Sequence, residues 1–326
     1  MKKKIKHILK KILPNLAYLW VLSAYLGAKK IYAPTSFDLF MKEGKKKCLL
    51  TQYQPRYPFA LDRGDIAKRL FHEDPNNRYG HEPELAHLID LLLPDDGSFF
   101  DIGANHGYFT VFVATRAKFV GQVFTFEPVT NTFNFVKKLV EELQISEVVK
   151  LFNVGLSDKP GRATISWNTD LGLASFNSNS NSNNNAYSEE ADLITLDSLG
   201  AGRCDFLKID TEGLEYKVIK GALNTIQKYK PFIFLESTLS SNSLGHSFDS
   251  QALLPLVSLK EMGYSSYLPA WRQPNGSLFV GIGSDFEMKN FALIPFEPEE
   301  RMCFPGEAIN IFCAHSSKLS KLGVHI

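Results

Sequence analysis

The sequence contains little cysteine, and its cysteines form no metal or disulfide pattern. Cys48, Cys204, Cys303 and Cys313 are widely scattered, and no two of them are spaced as Cys-x-x-Cys. This spacing argues against a zinc knuckle and against a disulfide-stabilised extracellular domain. We therefore expect the protein to lie in a reducing compartment, the cytoplasm.

Excess charge of one sign is also missing. The chain has 36 basic and 35 acidic residues, which gives a formal net charge of +1 at pH 7. The sequence shows no basic stripe interleaved with aromatic side chains, so we expect no nucleic acid partner. Hydrophobic residues make up 44% of the chain and include 25 phenylalanines, which is enough for a large core.

The sequence has little that favours a membrane span. The apolar stretch at residues 12–28 is interrupted by Pro14 and by polar residues, and it is shorter than the about 20 apolar residues that cross a bilayer. Lysines flank it, so three interpretations stay open for residues 1–33: a helix on an anionic membrane surface, a cleaved signal peptide, or a helix packed on the protein's own core. We favour the first, on the cytoplasmic face of a membrane. Residues 34–80 form an N-terminal extension without an assigned role.

The most informative segment is residues 99–110, Phe-Phe-Asp-Ile-Gly-Ala-Asn-His-Gly-Tyr-Phe-Thr. It predicts a buried strand with Asp101 near its end, a turn that contains Gly103 and Gly107, and the start of a helix. Because glycine lacks a Cβ atom, such a turn permits a ligand to approach the backbone closely. An acidic residue before the turn disfavours a phosphate and suits a cationic ligand, such as the ammonium and sulfonium groups of S-adenosylmethionine.

A second acidic residue supports an adenosine-containing cofactor. The run Val-Phe-Thr-Phe-Glu-Pro predicts the next strand, which ends at Glu127. Glu127 follows Gly103 at roughly the 20-residue spacing at which α/β folds place a carboxylate on a ribose diol. Nicotinamide-binding folds share this acid, but the loop lacks their Gly-x-Gly-x-x-Gly pattern. We favour S-adenosylmethionine and keep a nicotinamide cofactor as the alternative.

Strands and helices alternate along the rest of the chain. After a helix that begins near Pro83, the predicted elements are strand 98–102, helix 107–118, strand 122–127, helix 130–143, strands 148–154 and 163–168, strand 205–210, helix 213–228, strand 231–236, helix 250–262, and strands 277–283 and 308–314. This alternation predicts an α/β fold with an open, mostly parallel sheet and helices on both faces. Asn and Ser are concentrated in residues 175–190, which predicts a disordered loop. Residues 317–326 form a tail.

Acidic residues end two further predicted strands. Asp210 and Glu236 are therefore expected at the carboxyl edge of the sheet, beside Asp101 and Glu127. A hydroxyl acceptor needs a base, so Asp210 and Glu236 are candidate catalytic residues, and Asp210 is also a candidate partner for the amino group of the cofactor. Mg²⁺ held by these two carboxylates is an alternative that we favour less. His246, on a loop after the second of these strands, is a further candidate base.

The segments around these acids resemble the FkbM family of S-adenosylmethionine-dependent methyltransferases. The first segment is Phe-Asp-Ile-Gly-Ala-Asn-His-Gly-Tyr at 100–108, and the second is Leu-Lys-Ile-Asp-Thr-Glu-Gly-Leu-Glu at 207–215. The resemblance implies a Rossmann-like class I methyltransferase fold for residues 81–316, with a seven-stranded, mostly parallel sheet and an antiparallel last strand. It also implies methyl transfer to a hydroxyl on a sugar, a glycolipid or a secondary metabolite.

The resemblance also implies which residues contact the cofactor. Glu127 is implied beside the ribose. The residues implied around the methionine part are Asp101, Gly103, Asn105 and Gly107, and Ala104 in the same loop is a further cofactor-binding candidate. The residues implied beside the adenine, in the turn after the third strand, are Asn153, Val154, Gly155 and Asp158.

The sequence leaves three other functions open: a nicotinamide-dependent oxidoreductase, a non-catalytic nucleoside-binding module and a membrane-associated scaffold. The expected partner is a small-molecule, glycan or lipid acceptor. A peripheral membrane contact through residues 1–33 is expected as well.

Overall fold

The structure, a computed structural model, describes residues 49–52, 82–116, 118–167, 187–237, 253–272, 278–279, 290–298 and 309–322. The predicted surface helix in residues 1–33, most of the extension at 34–80, and His246 lie outside these ranges, so the predictions made for them stay predictions. Within the described ranges, no helix combines the length and apolarity that crossing a membrane requires.

Helices and strands alternate through most of the described chain. The helices are α1 (Pro83–Leu92), α2 (Tyr108–Ala114), α3 (Thr130–Glu142), α4 (Glu215–Lys220), α5 (Leu223–Tyr229) and α6 (Leu254–Glu261). The strands are β1 (Leu49–Gln52), β2 (Ser98–Ile102), β3 (Gln122–Phe126), β4 (Val149–Phe152), β5 (Gly155–Leu156), β6 (Gly161–Trp167), β7 (Tyr187–Ile194), β8 (Phe206–Ile209), β9 (Phe232–Ser237), β10 (Tyr264–Arg272), β11 (Leu278–Phe279), β12 (Asn290–Phe296) and β13 (Ile309–His315). Short 3₁₀ segments follow β7 and β13.

Ten of these strands form the main sheet, in the order β1-β12-β10-β13-β9-β8-β2-β3-β4, with β11 paired to β10. The strands β4, β3, β2, β8 and β9 run parallel to one another. β13 lies antiparallel between β9 and β10. This arrangement confirms the predicted mostly parallel α/β sheet with an antiparallel last strand. The sheet is wider than the implied seven strands because β12, β1 and β11 extend it beyond β10.

The structure differs from the predicted elements in the C-terminal part of the chain. Of the strand predicted at 277–283, the described residues 278 and 279 form β11, and the others lie outside the described ranges. The long strand β10 was missed. Pro269 in β10 and Pro295 in β12 weaken the strand signal, because proline cannot donate to a ladder. The helix predicted at 213–228 is divided into α4 and α5.

A second, three-stranded sheet contains part of the predicted disordered loop. β7 pairs with β6 in antiparallel and with β5 in parallel orientation. Residues 187–190 therefore belong to a strand, whereas residues 175–186 lie outside the described ranges. Ile165 and Trp167 of β6 form a small hydrophobic cluster with Val129, the residue before α3. This contact places the small sheet beside the β3–α3 connection.

The main sheet separates two hydrophobic cores, because successive side chains of a strand point to opposite faces. Phe99 belongs to the core beneath α1, α2 and α3, and Phe100 belongs to the core beneath α4, α5 and α6. On the first face the strands become polar toward their carboxyl ends. Asp101 follows Phe99 on this face, and Lys208 follows Phe206. The site described below is built on this polar edge.

Arg116, just after α2, joins that helix to the loop before β2. Its guanidinium donates hydrogen bonds to the carbonyl oxygen of Leu93 at 3.0 Å and to Asp95 at 3.1 Å. It also lies 3.9 Å from the carboxylate of the buried Asp90. We expect Arg116→Met to lower the free energy of unfolding by about 3–5 kcal/mol, because it removes the cation beside a buried carboxylate. Urea unfolding measures this loss.

Arg162→Met is the matched control. It removes an exposed salt bridge in which Nε of Arg162 lies 2.8 Å from Asp192, and the expected loss is below about 1 kcal/mol. Equal losses in the two variants would contradict the role given to Arg116.

Candidate active site

A cleft with about 640 Å³ of empty space opens where the parallel strands end. Its lining comes from the ends of β2 and β3, from the loops that follow β2, β3 and β8, and from the β4–β5 connection, β5 and β6. The predicted cofactor residues that line the cleft are Gly103, Asn105, Glu127, Val154 and Asp210. The structure thus brings together residues from four separate parts of the chain.

Glu127 presents a fixed carboxylate at this cleft. Its Oε2 accepts a hydrogen bond from the backbone N–H of Asn105 at 2.8 Å, and its Oε1 accepts one from the N–H of Val129 at 2.9 Å. Burial raises the pKa of Glu127 to about 7, although these two hydrogen bonds act in the opposite direction. Each oxygen keeps a second lone pair, so the carboxylate can still accept hydroxyl groups of a ligand.

The two glycines of the β2–α2 loop are required for packing inside the protein. Gly103 has a φ of +74°, and a Cβ atom there would lie 1.7 Å from the carbonyl oxygen of Asp210. Gly107 has a φ of +79°, and its Cβ would lie 3.0 Å from Val136 of α3. The two glycines therefore allow close contact of the loop with the residue after β8 and with α3. The predicted close approach of a ligand to this loop stays a prediction.

Asp101 lies inside the protein, behind this loop. The residue is 1% exposed, and its Oδ2 accepts a hydrogen bond from the hydroxyl of Thr110 at 2.7 Å. Its Oδ1 lies 3.7 Å from Nζ of Lys208. Burial raises the pKa of Asp101, while Lys208 and Thr110 act in the opposite direction. A direct contact between Asp101 and a cofactor therefore stays a prediction.

Three carboxylates meet where β8 and β9 end. Ligand oxygens of Asp210, Glu212 and Glu236 lie within 4.8 Å of one another. Burial, together with the charges of Asp210 and Glu212, raises the pKa of Glu236 to about 8. Burial and the neighbouring charges of Asp210 and Glu215 raise the pKa of Glu212 to about 7. The predicted catalytic pair is thus adjacent in the structure, and the group is able to accept a proton, hold a cation or ligate Mg²⁺.

Three polar residues beside Glu236 were not predicted as site residues from the sequence. Asn310 of β13 lies opposite Glu236 in the strand register, and its Nδ2 donates to Glu82 at 2.8 Å and to Glu84 at 3.1 Å. Burial and the charge of Glu82 raise the pKa of Glu84 to about 7. The Glu-Pro-Glu run at 82–84, at the start of α1, was the local signal for Glu82 and Glu84. No local pattern pointed to Asn310.

Other predicted residues have structural partners. Asn153 donates to the carbonyl oxygens of Glu127 and Pro128 at 2.9 and 3.0 Å, which ties β4 to the end of β3. Asp158 lies 3.5 Å from Nζ of Lys220, and the backbone N–H of Ala104 donates to the carbonyl oxygen of Phe126. Their contacts with a cofactor stay predictions.

Glu215 completes the turn after β8. Its Oε1 accepts hydrogen bonds from the N–H groups of Thr211 and Gly213 at 3.1 and 3.0 Å. The carboxylate therefore fixes the loop that carries Thr211 and Glu212 into the cleft.

Comparison with known proteins identifies the family of this region. The model of the methyltransferase FkbM domain matches residues 101–266, slightly more than half of the 326-residue chain. No curated protein sequence matches the chain significantly.

Among solved structures, the chain is similar to methyltransferase FkbM from Methylobacillus flagellatus KT, with 13% identity and a TM-score of 0.39 over 72% of this chain and 60% of that one. The O-methyltransferase from Bacillus cereus in complex with SAH has 12% identity and a TM-score of 0.38 over 85% of this chain and 97% of that one. A SAM-dependent methyltransferase from Aquifex aeolicus has 11% identity and a TM-score of 0.36 over 71% and 96% of the two chains. The family assignment rests on the domain match.

Glu127→Gln tests the fixed carboxylate. The amide keeps the shape of the carboxylate. Its NH₂ group, however, would face a backbone N–H that donates to a carboxylate oxygen in the wild type, so one of the two hydrogen bonds is lost. We expect affinity for S-adenosylmethionine to fall at least tenfold at pH 8, about the 1.4 kcal/mol of one lost hydrogen bond. Wild-type affinity should also weaken as the pH falls through 7, where Glu127 becomes protonated, and the variant should lack this component. Titration calorimetry across pH measures both effects, and equal curves would contradict the role of Glu127.

The raised pKa of Glu84 predicts a pH dependence of stability. A carboxyl group whose pKa is about 7 when folded, against a usual value of 4.5, binds its proton more tightly in the folded state. Its stabilising contribution is complete below the unfolded pKa and is lost as the pH rises to about 7. We expect the stability of Glu84→Gln to decline less than that of the wild type as the pH rises from 5 to 8. Thermal unfolding in steps of about 0.5 pH unit measures this decline.

Glu297→Gln is the matched control, because Glu297 is exposed and pairs with Lys260 at the surface. It should keep the wild-type decline. A decline that is unchanged in Glu84→Gln would contradict the prediction.

Proposed function

This chain belongs to the FkbM methyltransferase family, and from that membership we propose that it transfers the methyl group of S-adenosylmethionine to a hydroxyl on a sugar, a glycolipid or a secondary metabolite. The observation that supports a hydroxyl acceptor is the pair of carboxylates of Asp210 and Glu236 at the edge of the cleft. Methyl transfer to a hydroxyl releases one proton, so a base is needed next to the acceptor.

The residues around the cleft fit S-adenosylmethionine. Glu127 offers a fixed carboxylate to the ribose hydroxyls, and Val154 and Ile165 offer apolar surface to the adenine. The side-chain oxygen of Asn105 is buried at the cleft and has no hydrogen-bond partner among the described residues, which suits the ammonium group of the methionine part. When bound, the cofactor supplies a methyl carbon on a positively charged sulfur.

Glu236 is the base in this proposal. Its pKa of about 8 is close to the pH at which a general base combines availability with strength. The charge of the neighbouring Asp210 raises the pKa of Glu236, and Oδ2 of Asp210 accepts a hydrogen bond from Lys208 at 3.1 Å. Asp210 therefore favours transfer of a proton to the base. His246, the other candidate base, lies outside the described residues and stays a prediction.

The polar residues beside Glu236 support an uncharged acceptor with several hydroxyl groups. The carboxyl oxygens of Glu82 and Glu84 would accept hydrogen bonds from hydroxyls, and the charge of Glu82 would repel phosphates and carboxylates. A glycolipid acceptor would also agree with the membrane-surface helix predicted in residues 1–33.

Mg²⁺ is the second way to activate the hydroxyl, and the spacing of Asp210, Glu212 and Glu236 within 4.8 Å favours it. These three carboxylates would hold the ion, and the ion would lower the pKa of a bound hydroxyl. Activity that survives dialysis against EDTA supports Glu236 as the base. Activity that is lost and then restored by Mg²⁺ supports the metal.

Incubation of the protein with methyl-labelled S-adenosylmethionine and a whole-cell extract tests the proposed function. We expect label in a glycan, lipid or small-molecule fraction, and we expect NMR of the product to show an O-methyl group. Glu236→Gln should lower the rate at least 100-fold, the lower range of general base catalysis, while affinity for S-adenosylmethionine changes little.

Glu297→Gln serves as the control and should keep the wild-type rate. Label on nitrogen, or a wild-type rate in Glu236→Gln, would contradict the proposal. Cofactor binding without transfer to any acceptor would support the non-catalytic nucleoside-binding module instead.

A further inference from the structure

We propose that Lys208 is a positioning residue that holds the β2–α2 loop and the Asp210 carboxylate in the geometry that binds the cofactor. The inference rests on the proposed function, because it requires S-adenosylmethionine or its product in the cleft. Lys208 itself is 5% exposed, and it acts from beneath the loop.

The ammonium group of Lys208 contacts three oxygens from two neighbouring strands and their loops. Nζ donates to the carbonyl oxygen of Gly103 at 3.1 Å and to Oδ2 of Asp210 at 3.1 Å. It lies 3.7 Å from Oδ1 of Asp101. The ring centroid of Phe109, on α2, lies 6.0 Å from Nζ and completes the enclosure. The position of this one group is therefore determined by β2, β8 and α2 together.

The charge of Lys208 is maintained by its neighbours. Burial alone would lower the pKa of this lysine, but the carboxylates of Asp210 and Asp101 outweigh burial and raise the pKa. Lys208 is therefore a permanent cation at neutral pH. Its loss would leave Asp101 and Asp210 as like charges that repel each other next to the cleft.

The hydrogen bond to Gly103 completes the fixation of the loop. The N–H groups of Gly103 and Ala104 both donate to the carbonyl oxygen of Phe126, at 3.1 and 3.0 Å, which ties the loop to β3. Lys208 ties the carbonyl side of Gly103 to β8. Gly103 and Asn105 line the cleft, so the two attachments set the position of the backbone that faces the cofactor.

If Lys208 served only as the countercharge of Asp101, its role would be purely structural. Comparison of the single variants with a double variant distinguishes this role from the positioning role. Lys208→Met removes the cation and its hydrogen bonds. Asp101→Asn removes the buried charge that needs a cation, and the double variant combines the two changes. Because the double variant holds no unbalanced charge at Asp101, it is the variant expected to fold even where Lys208→Met does not.

The measurements are thermal unfolding and calorimetric titration with S-adenosylhomocysteine, which lacks the sulfonium charge. We expect the double variant to recover most of the stability lost in Lys208→Met. We also expect it to bind S-adenosylhomocysteine at least fivefold more weakly than Asp101→Asn alone. The carbonyl carbon of Gly103, labelled with ¹³C-glycine, should shift upfield in both variants that lack Lys208 and stay unchanged in Asp101→Asn.

Lys260→Met is the control, because Lys260 forms an exposed pair with Glu297, and its affinity should equal that of the wild type. Equal affinities of Asp101→Asn and the double variant, or an unshifted Gly103 resonance, would overturn the positioning role. A wild-type protein that does not bind S-adenosylhomocysteine would instead overturn the proposed function.

Discussion

The free-energy cost of removing carboxylates from water is the physical constraint on which this site depends. A buried charged group is costly unless donors, a counter-ion or a proton compensate it. The protein uses each of these: Lys208 and Thr110 for Asp101, two backbone N–H groups for Glu127, and raised pKa values at Glu84 and Glu236. The carboxylates at one sheet edge therefore differ in charge and in hydrogen-bonding capacity.

Because of this difference, the carboxylates along the edge of the sheet have different proposed roles. In the proposed function Glu127, whose oxygens are held by the loops after β2 and β3, accepts hydrogen bonds from the ribose. Glu236, beside Asp210, takes the proton of the acceptor in the same proposal. The proposal therefore places the cofactor at the cleft and the acceptor next to it, near Glu82, Glu84 and Asn310.

The parts of this arrangement that local sequence determines were predictable. The strand–turn–helix at Asp101 and the strand ending before Glu127 are where the sequence placed them. The close approach of Gly103 to the backbone of Asp210, just after β8, was not predictable, because that contact depends on sheet order. The meeting of Asn310 with Glu84 joins residues 226 positions apart, and no local pattern reports such a contact. β10 and β12 were missed because each contains a proline, which weakens the strand signal in the sequence. In the folded protein, pairing with neighbouring strands outweighs this effect.

A crystal structure of the protein with S-adenosylhomocysteine would show directly whether the carboxylates at the sheet edge surround the ligand as proposed. We predict the ribose hydroxyls on the Glu127 carboxylate, the adenine against Val154 and Ile165, and the sulfur directed toward Asp210 and Glu236. A ligand bound with its ribose away from Glu127, or bound elsewhere on the protein, would contradict this prediction.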